Sequence, residues 1–364
     1  MTHRGKTEQC HMQTRRTRRV CAINRLRRFL YINGRLIPLL FISGTNKSGL
    51  IVMYGDIRDK ILGKHKRKIR YIGRQHPVIH LIRKIRNNAH DGSERLFAAE
   101  GLWAHKLLIE TGSAIRCVVI CPELLYSAEA LELAESCLDK ASAAYIVSGK
   151  LFEKISERDG PDGLISLVQL PVYKPESLQI KEKALIVVLD GLENPGNIGT
   201  ILRTCDGAGA DAVFICNRKA RMTNPKLIKS SMGAVFTVPV IEFDDTGLCI
   251  DWLKARNFSI YLADAKAGRT YRDFDYTGNT ALVMGSERYG ISEKWYSCDP
   301  QPISIPMMGI CDSLNVGAAA SVIIYEISMK RLQKGYGANN GIYEKSVQGR
   351  RLYQDKGFSE VYFI

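Results

Sequence analysis

The apolar positions of this chain repeat with two different periods, and the switches between them mark out its elements. From Pro77 onward, PVIHLIRKIRN places its apolar residues at helical spacing and turns Arg83, Lys84 and Arg86 to the other face. RLFAAEGLWAHKLLIETG reads as a short strand running into a helix, and IRCVVICPEL as a buried strand ending in a turn. SAEALELAESCLDKAS is a helix with Ser127 as its cap, AAYIVS a strand, KLFEKISE a helix, and GLISLVQLP a strand stopped by Pro171. This alternation over residues 76–172 predicts a small α/β domain. The polar stretch VYKPESLQIKEK, with Pro175 inside it, reads as a linker over 173–182.

A second α/β domain is expected over 183–332. ALIVVLDGL is a continuous apolar run, which a central parallel strand needs because both its faces are covered. NIGTILRTCDGAGA follows as a helix ended by Gly209, then ADAVFIC as a strand and NPKLIKSSMGA as a helix. FTVPVIEF is read as a strand, DWLKARN as a helix, and FSIYLADA, TALVMGS and QPISIPM as further strands. The helix SLNVGAAASVIIYEISMKRL closes the domain. A doubly wound sheet built this way gathers ligands at the carboxyl ends of its strands. Residues 1–75 carry no clear core pattern and read as a basic extension, and 333–364 as a tail that is Gly-rich and polar where it begins.

Length and charge sharpen this division. The 364 residues suffice for two or three domains. The net charge of +15 is uneven: residues 1–86 hold 22 Lys and Arg against Glu8, Asp56 and Asp59, giving +19 and leaving −4 for the rest. A segment so basic suits a polyanion, and a solvated tail is its other reading. Its first 35 residues, rich in Arg with a single acid, fit either a mitochondrial transit peptide or a basic arm, and Met53 opens a basic helical pattern that a later start would expose. The expected location is cytoplasmic, or mitochondrial if that segment is a transit peptide. Ten cysteines show no paired framework, and several sit in apolar runs such as CVVIC, which predicts buried reduced thiols. Cys117 and Cys121 lack a second ligand pair at zinc spacing, so no metal is expected. No membrane association is expected: no stretch reaches the roughly 18 apolar residues of a membrane helix, since Asn33, Arg35 and Pro38 interrupt Phe29–Ile42.

Three stretches at strand ends carry residues that a packed core does not need. ENPGNIGTILRT spans Glu193–Thr204, VMGSERYGIS spans Val283–Ser292, and ISIPMMGICDSLNVGAAAS spans Ile303–Ser321. The first has neither the GxGxxG spacing of a dinucleotide loop nor the GK[ST] of a phosphate loop. It offers Asn197 and Arg203, whose flat guanidinium can grip a phosphate. In isolation Asn197 reads better as a cap and Arg203 as a surface ion-pair partner. The second stretch offers Gly285, which lets backbone approach a ligand closely, and Glu287 at a strand end. The third sets Ser313 and Asn315 at the opening of an apolar helix, where Ser313 can serve as the cap.

The three stretches together, in this order, resemble the SpoU/TrmH family of RNA ribose 2′-O-methyltransferases, within the SPOUT superfamily. Residues 76–172 also resemble the substrate-binding domain, of ribosomal protein L30e type, that precedes the catalytic domain in many members. The resemblance implies a fold of knotted α/β type, in which the C-terminal part threads a loop to form a trefoil. It implies S-adenosyl-L-methionine as cofactor, held by Gly285, Ile305, Leu314 and Ala263. It assigns catalysis to Arg203, Asn197, Ser313, Asn315 and Glu287, with Arg203 activating the 2′-hydroxyl; because an arginine yields its proton reluctantly, we read Arg203 as gripping the adjacent phosphate, and Glu287 as holding Asn197 or Arg203. It implies RNA as substrate, with ribosomal RNA favoured over transfer RNA because an L30e-like domain reads kinked or looped RNA. It also implies a homodimer formed through the knot, with both subunits completing each site. The resemblance leaves open a transfer-RNA enzyme, a resistance methyltransferase acting on ribosomal RNA, and a non-catalytic RNA-binding protein on the same fold. One departure stands out: many relatives carry Ser where this chain has Gly317.

Overall fold

Short apolar runs bounded by turns become strands, and the two groups of strands form two separate sheets. The computed structural model describes residues 29–32, 35–38, 59, 61–89, 94–180 and 182–336. Near the start, β1 (Phe29–Ile32) and β2 (Arg35–Pro38) pair antiparallel. The first domain's sheet holds β3 (Ile69–Tyr71), β4 (Leu96–Glu100), β5 (Ala114–Ile120), β6 (Ala143–Ile146) and β7 (Leu164–Gln169) in the order β3-β6-β5-β7-β4. Strands β3, β6 and β5 run parallel, whereas β7 lies antiparallel to both β5 and β4. Helices α1 (Pro77–Arg86), α2 (Leu102–Glu110), α3 (Ala128–Lys140) and α4 (Gly149–Ile155) connect them. Helix α1 starts at a proline and buries Ile79, Ile82 and Ile85, and Ser127 caps α3 by accepting from the amide of Ala130 at 3.0 Å.

The sheet reaches back into the basic stretch, earlier than position 76. Strand β3 carries Arg70, Ile61 joins the core, and Lys68 donates to the carbonyl of Leu138 at 2.6 Å. Lys64 pairs with Glu135 at 2.7 Å. Part of the basic segment is thereby fixed against the first domain.

The second sheet has six strands, all parallel: β8 (Leu185–Asp190), β9 (Ala212–Cys216), β10 (Val240–Glu242), β11 (Ser259–Ala263), β12 (Thr280–Gly285) and β13 (Gln301–Ile303), in the order β10-β9-β8-β12-β11-β13. Every residue of β8 and β9 is buried, as their unbroken apolar runs require. The chain winds outward through β8, β9 and β10, then crosses over to build β11, β12 and β13 on the other side. The reversal places a crevice between the loops that leave β8 and β12. The helices are α5 (Pro195–Ala208), α6 (Pro225–Ser231), α7 (Ala234–Thr237), α8 (Thr246–Lys254), α9 (Glu293–Tyr296) and α10 (Val316–Tyr336).

Three expected elements are corrected by this arrangement. The helix expected through NPKLIKSSMGA breaks at Met232 and Gly233, both left-handed at φ 47° and 92°. The strand expected from Phe236 shrinks to Val240–Glu242, because Ala234–Thr237 forms the helical turn α7. The last helix begins at Val316 rather than at Ser313, since Asn315 supplies its cap.

Helix α10 is held at both ends. Near its start Ser321 hydrogen-bonds Thr204 of α5 at 2.9 Å, and further along Ser328 donates to the carbonyl of Ala208 at 2.9 Å. Near its end the Arg331 guanidinium donates to the carbonyls of Lys183, Ala184, Tyr276 and Gly278, and Lys330 to those of Arg272 and Phe274. The loop 264–279 therefore lies against the last turns of the helix.

The two domains share one core. The ring of Phe97 on β4 meets that of Phe236 on α7 at 5.1 Å. Arg95 pairs with Glu242 at 3.0 Å, and Arg221 donates to the carbonyl and side-chain oxygens of Asn88 at 2.6 and 2.8 Å.

Candidate functional site

The three strand-end stretches meet at the carboxyl edge of the second sheet. Loops leaving β11, β12 and β13 enclose a cavity of about 520 Å³, within the usual size of a small-ligand site. Seven of the nine residues expected at the site line it: Ala263, Gly285, Glu287, Ile305, Ser313, Leu314 and Asn315. Asn197 and Arg203 do not line it.

Asn197 is nevertheless tied to the rim. Helix α5 is capped by Asn194, whose side chain accepts from the amide of Gly196 at 2.9 Å, so Asn197 is free of capping and faces the cavity mouth from the first turn. Its side-chain amide donates to the Glu287 carboxylate. Across the mouth, Asn315 Oδ1 caps α10 by accepting from the amides of Gly317 at 2.9 Å and Ala318 at 3.4 Å. That cap leaves Asn315 Nδ2 as the outward group, and it donates to Asn197 Oδ1 at 3.4 Å. Each amide thus sets the orientation of the next: the helix cap fixes Asn315, Asn315 fixes Asn197, and Asn197 fixes Glu287. The expectation that Ser313 caps the last helix is corrected here, since Ser313 donates instead to Asp312 at 3.0 Å.

Arg203 stands apart. It lies on the exposed face of α5, six residues beyond Asn197, a rise of about 9 Å along the helix axis. Among the described residues it has no ion-pair partner. Of the two alternatives open for Glu287, the structure takes the one with Asn197.

Gly285 is needed for a different reason from close ligand approach. A Cβ at this position would lie 2.4–2.6 Å from the backbone of Gly290 and Ile291. The turn after β12 is closed by paired hydrogen bonds between Ser286 and Gly290, both at 2.9 Å, and folds back onto Gly285. Asp190, buried at the end of β8, anchors the far side of the turn by accepting from the amide of Ser292 at 2.7 Å and from Asn217 at 2.6 Å. Gly199 plays a similar part on α5, where a Cβ would strike Ser230 and Leu227 of α6. Gly317, the departure from many relatives, sits under the Asn315 cap, where an added Cβ would be 3.1 Å from Asn315 Oδ1.

Two further residues belong to the cavity and escape a reading of the sequence. Asp264 follows β11 and accepts from the Tyr296 hydroxyl at 2.9 Å. Burial, and then the Asp264 carboxylate, push the Tyr296 hydroxyl up to about 12, so it stays protonated and donating. Nothing in the motif spacing marks either residue, because they come from elements the three stretches do not include. The lining combines apolar Ile303, Ile305, Leu314 and Ile323 with polar Asp264, Glu287 and Ser313. Such a cleft suits a ligand with one flat apolar ring system and one hydroxylated or cationic end.

A parallel, doubly wound sheet with its ligand cleft closed by the last strand-loop-helix defines a class of small-ligand-binding α/β proteins. Two family models match the chain: the SpoU rRNA Methylase family over residues 184–325 and the MRM3-like substrate binding domain over 76–166. A solved RNA 2′-O ribose methyltransferase is 30% identical, with a TM-score of 0.59, over 72% of this chain and 100% of that one. The SpoU methyltransferase AviRb from Streptomyces viridochromogenes, solved with the cofactor AdoMet, is 26% identical, with a TM-score of 0.64, over 71% of this chain and 99% of that one. A 23S rRNA (uridine(2479)-2′-O)-methyltransferase from Streptomyces viridochromogenes is 31% identical over 187 residues, 50% of this chain, and the match spans 65% of that protein. The chain belongs to the SpoU methyltransferase family.

Proposed function

We propose that this protein transfers a methyl group from S-adenosylmethionine to a ribose 2′-hydroxyl of RNA, with ribosomal RNA as the substrate. The observation that carries the reading is the linked set Asn315–Asn197–Glu287 at the mouth of a cleft lined by both apolar and polar side chains. The cleft fits the cofactor by the chemistry of its donors. Ile305 and Leu314 suit the adenine, and the Asp264 and Glu287 carboxylates suit its hydroxyls and its amine. When bound, S-adenosylmethionine supplies an electrophilic methyl on a sulfonium. The chain's own residues hold the acceptor in line and exclude water, which is where such a transfer gains most of its rate. Asn197 and Asn315, locked in orientation, direct the ribose. Arg203 grips the adjacent phosphate and stabilises charge developing on the 2′-oxygen, a role that needs no proton from a group that yields one only reluctantly.

Arg203 reaches a site by dimerisation. Val322, Tyr325 and Met329 form an exposed apolar stripe on α10 at helical spacing. The Tyr325 hydroxyl lies where a Cβ on Gly207 would be 2.8 Å away, and Gly207 shares the Arg203 face of α5, one turn on. A second copy covering this stripe places each Arg203 at the edge of the interface, facing its partner's cavity. The knot that the family reading implies would draw on the loop 264–279, which Lys330 and Arg331 hold against α10. The test is direct. Purified protein incubated with labelled S-adenosylmethionine and ribosomal RNA should leave label on a ribose 2′-oxygen. Cofactor binding without label on any RNA would refute the activity, and label on transfer RNA alone would refute the substrate.

A further inference from the structure

A second cavity, of about 370 Å³, lies between the domains, and no residue of the strand-end site lines it. On one side stand α1, β4 and α2 of the first domain, and on the other α6 and α7 of the second. Its floor is apolar, with Phe97 and Phe236 in ring contact. At its rim Trp103 is 53% exposed. Gly233, at φ 92°, brings the backbone of the second domain against α2; a Cβ there would lie 2.0 Å from Leu107 and 3.1 Å from the indole.

The wall holds an unfinished polar group. Arg86 has a side chain only 9% exposed, and its Nη2 donates to Glu100 at 2.6 Å. Its Nε and Nη1 are buried and have no acceptor among the described residues. A buried guanidinium with unused donors carries a desolvation cost, which a turn of the side chain toward a ligand's acceptor atoms removes. Lys229 and Arg158 stand along the same lining with Glu100 and Glu157, and Arg158 pairs with Asp162 at 3.4 Å.

An exposed indole, a buried guanidinium with unused donors and the Lys229 ammonium beside the groove match one chemistry. Unpaired bases of RNA stack on aromatic faces, offer carbonyl and ring-nitrogen acceptors to Arg, and bring phosphates to nearby cations. The groove is also one helix away from the catalytic face: α6 contacts α5 at Gly199, on the helix that carries Asn197 and Arg203. We propose that this interdomain groove holds an unpaired nucleobase of the RNA substrate, stacked on Trp103 and hydrogen-bonded by Arg86. The proposal rests on the RNA-methyltransferase reading and adds to it a recognition site that spans both domains.

Trp103 also makes the test specific. The other two tryptophans, Trp252 and Trp295, are half-buried and buried. Full-length protein should lose tryptophan fluorescence on titration with single-stranded RNA from its target region. Trp103→Ala and Trp103→Leu should each weaken RNA binding by roughly 5- to 140-fold, the range expected for one base–aromatic stack. Trp103→Phe should retain most of the affinity. All three should bind S-adenosylmethionine as the wild type does, with the loss appearing in KM for RNA and kcat preserved. Wild-type affinity in Trp103→Leu would overturn the base pocket and leave the groove as a packing surface or a protein-binding one. If the wild type methylates RNA while the variants differ only in thermal stability, the pocket fails and the enzyme reading stands. If the wild type binds no RNA, both fall together.

Discussion

The two cavities are built on opposite plans. At the strand-end site the polar groups of the mouth satisfy one another, so Asn315, Asn197 and Glu287 are aligned before any ligand arrives. In the interdomain groove Phe97 and Phe236 give an apolar floor, and Arg86 keeps two buried nitrogens without an acceptor among the described residues. The first is preorganised, as a site must be when it positions reacting atoms, because a misplacement of about 1 Å can cost on the order of 100-fold in rate. The second is incomplete alone and is finished by what it binds. The difference teaches where each kind of damage should register: in turnover at the first site, in RNA affinity at the second.

The largest effect should come from Arg203. Arg203→Ala should lower methylation by at least ~100-fold, the scale of losing one charge-stabilising group, while cofactor affinity stays nearly intact. Turnover near the wild-type rate would remove Arg203 from catalysis. Because Arg203 lies off the cavity of its own subunit, the sharper experiment mixes subunits. Arg203→Ala and Asn197→Ala chains, each inactive alone, should recover about a quarter of wild-type activity when mixed, since half of random dimers then carry one complete site. No recovery would place Arg203 in the site of its own chain.

Gly285→Ala comes next. Its added methyl meets backbone atoms of Gly290 and Ile291, which cannot swing aside as a side chain would. The turn must shift, at a cost of about 1–3 kcal/mol by analogy with overpacking, and Glu287 shifts with it. Calorimetry should record a weaker cofactor isotherm together with a lower melting temperature. A variant that melts lower yet binds cofactor normally would separate the turn from the site.

Asn315 allows its two roles to be divided. Asn315→Ala loses the helix cap, worth about 1 kcal/mol, along with the tie to Asn197. Asn315→Asp keeps an oxygen for the cap but cannot donate to Asn197. Thermal melts should find the Asp variant close to wild type and the Ala variant below it, with methylation depressed in both. Full activity in the Asp variant would mean that the Asn315–Asn197 bond does not orient the site.

The site was legible in the sequence to the extent that it was local. Asn197, Glu287, Ser313 and Asn315 stand inside short stretches whose order carries the family pattern, and seven of the nine expected residues do line one cavity. What stayed hidden depends on tertiary placement. Whether Ser313 or Asn315 caps α10 turns on which side chain reaches the amides of Gly317 and Ala318. Asp264 and Tyr296 meet only because β11 lies between β12 and β13. Phe236 and Thr237 carry good strand propensity, but the left-handed pair Met232–Gly233 starts a helical turn immediately before them. One local signal was present and passed over. Asn-Gly between two apolar runs is a hairpin signal in a sequence, and the strands on either side of positions 33–34, β1 and β2, pair antiparallel.

The smallest effect concerns His105, which lies on α2 between the groove residues Ala104 and Leu107. It is fully buried, its Nδ1 is 2.8 Å from the carbonyl of Gly101 and its Nε2 is 3.0 Å from the Ser166 hydroxyl. The neutral ring serves both by donating to the carbonyl and accepting from the hydroxyl. Burial holds its pKa below the ordinary value of 6.5. A base whose folded pKa is depressed binds more protons when unfolded, so its contribution is present above pH 6.5 and is lost as pH falls below that value. The slope is at most about 1.4 kcal/mol per pH unit. Because His105 shares α2 with Trp103, the loss falls on the first domain. Between pH 7 and pH 5, RNA binding through Trp103 should weaken before cofactor binding does, and His105→Gln should flatten that difference. Parallel decline of the two affinities would mean that the cavities share one stability and that their contrast is of construction alone.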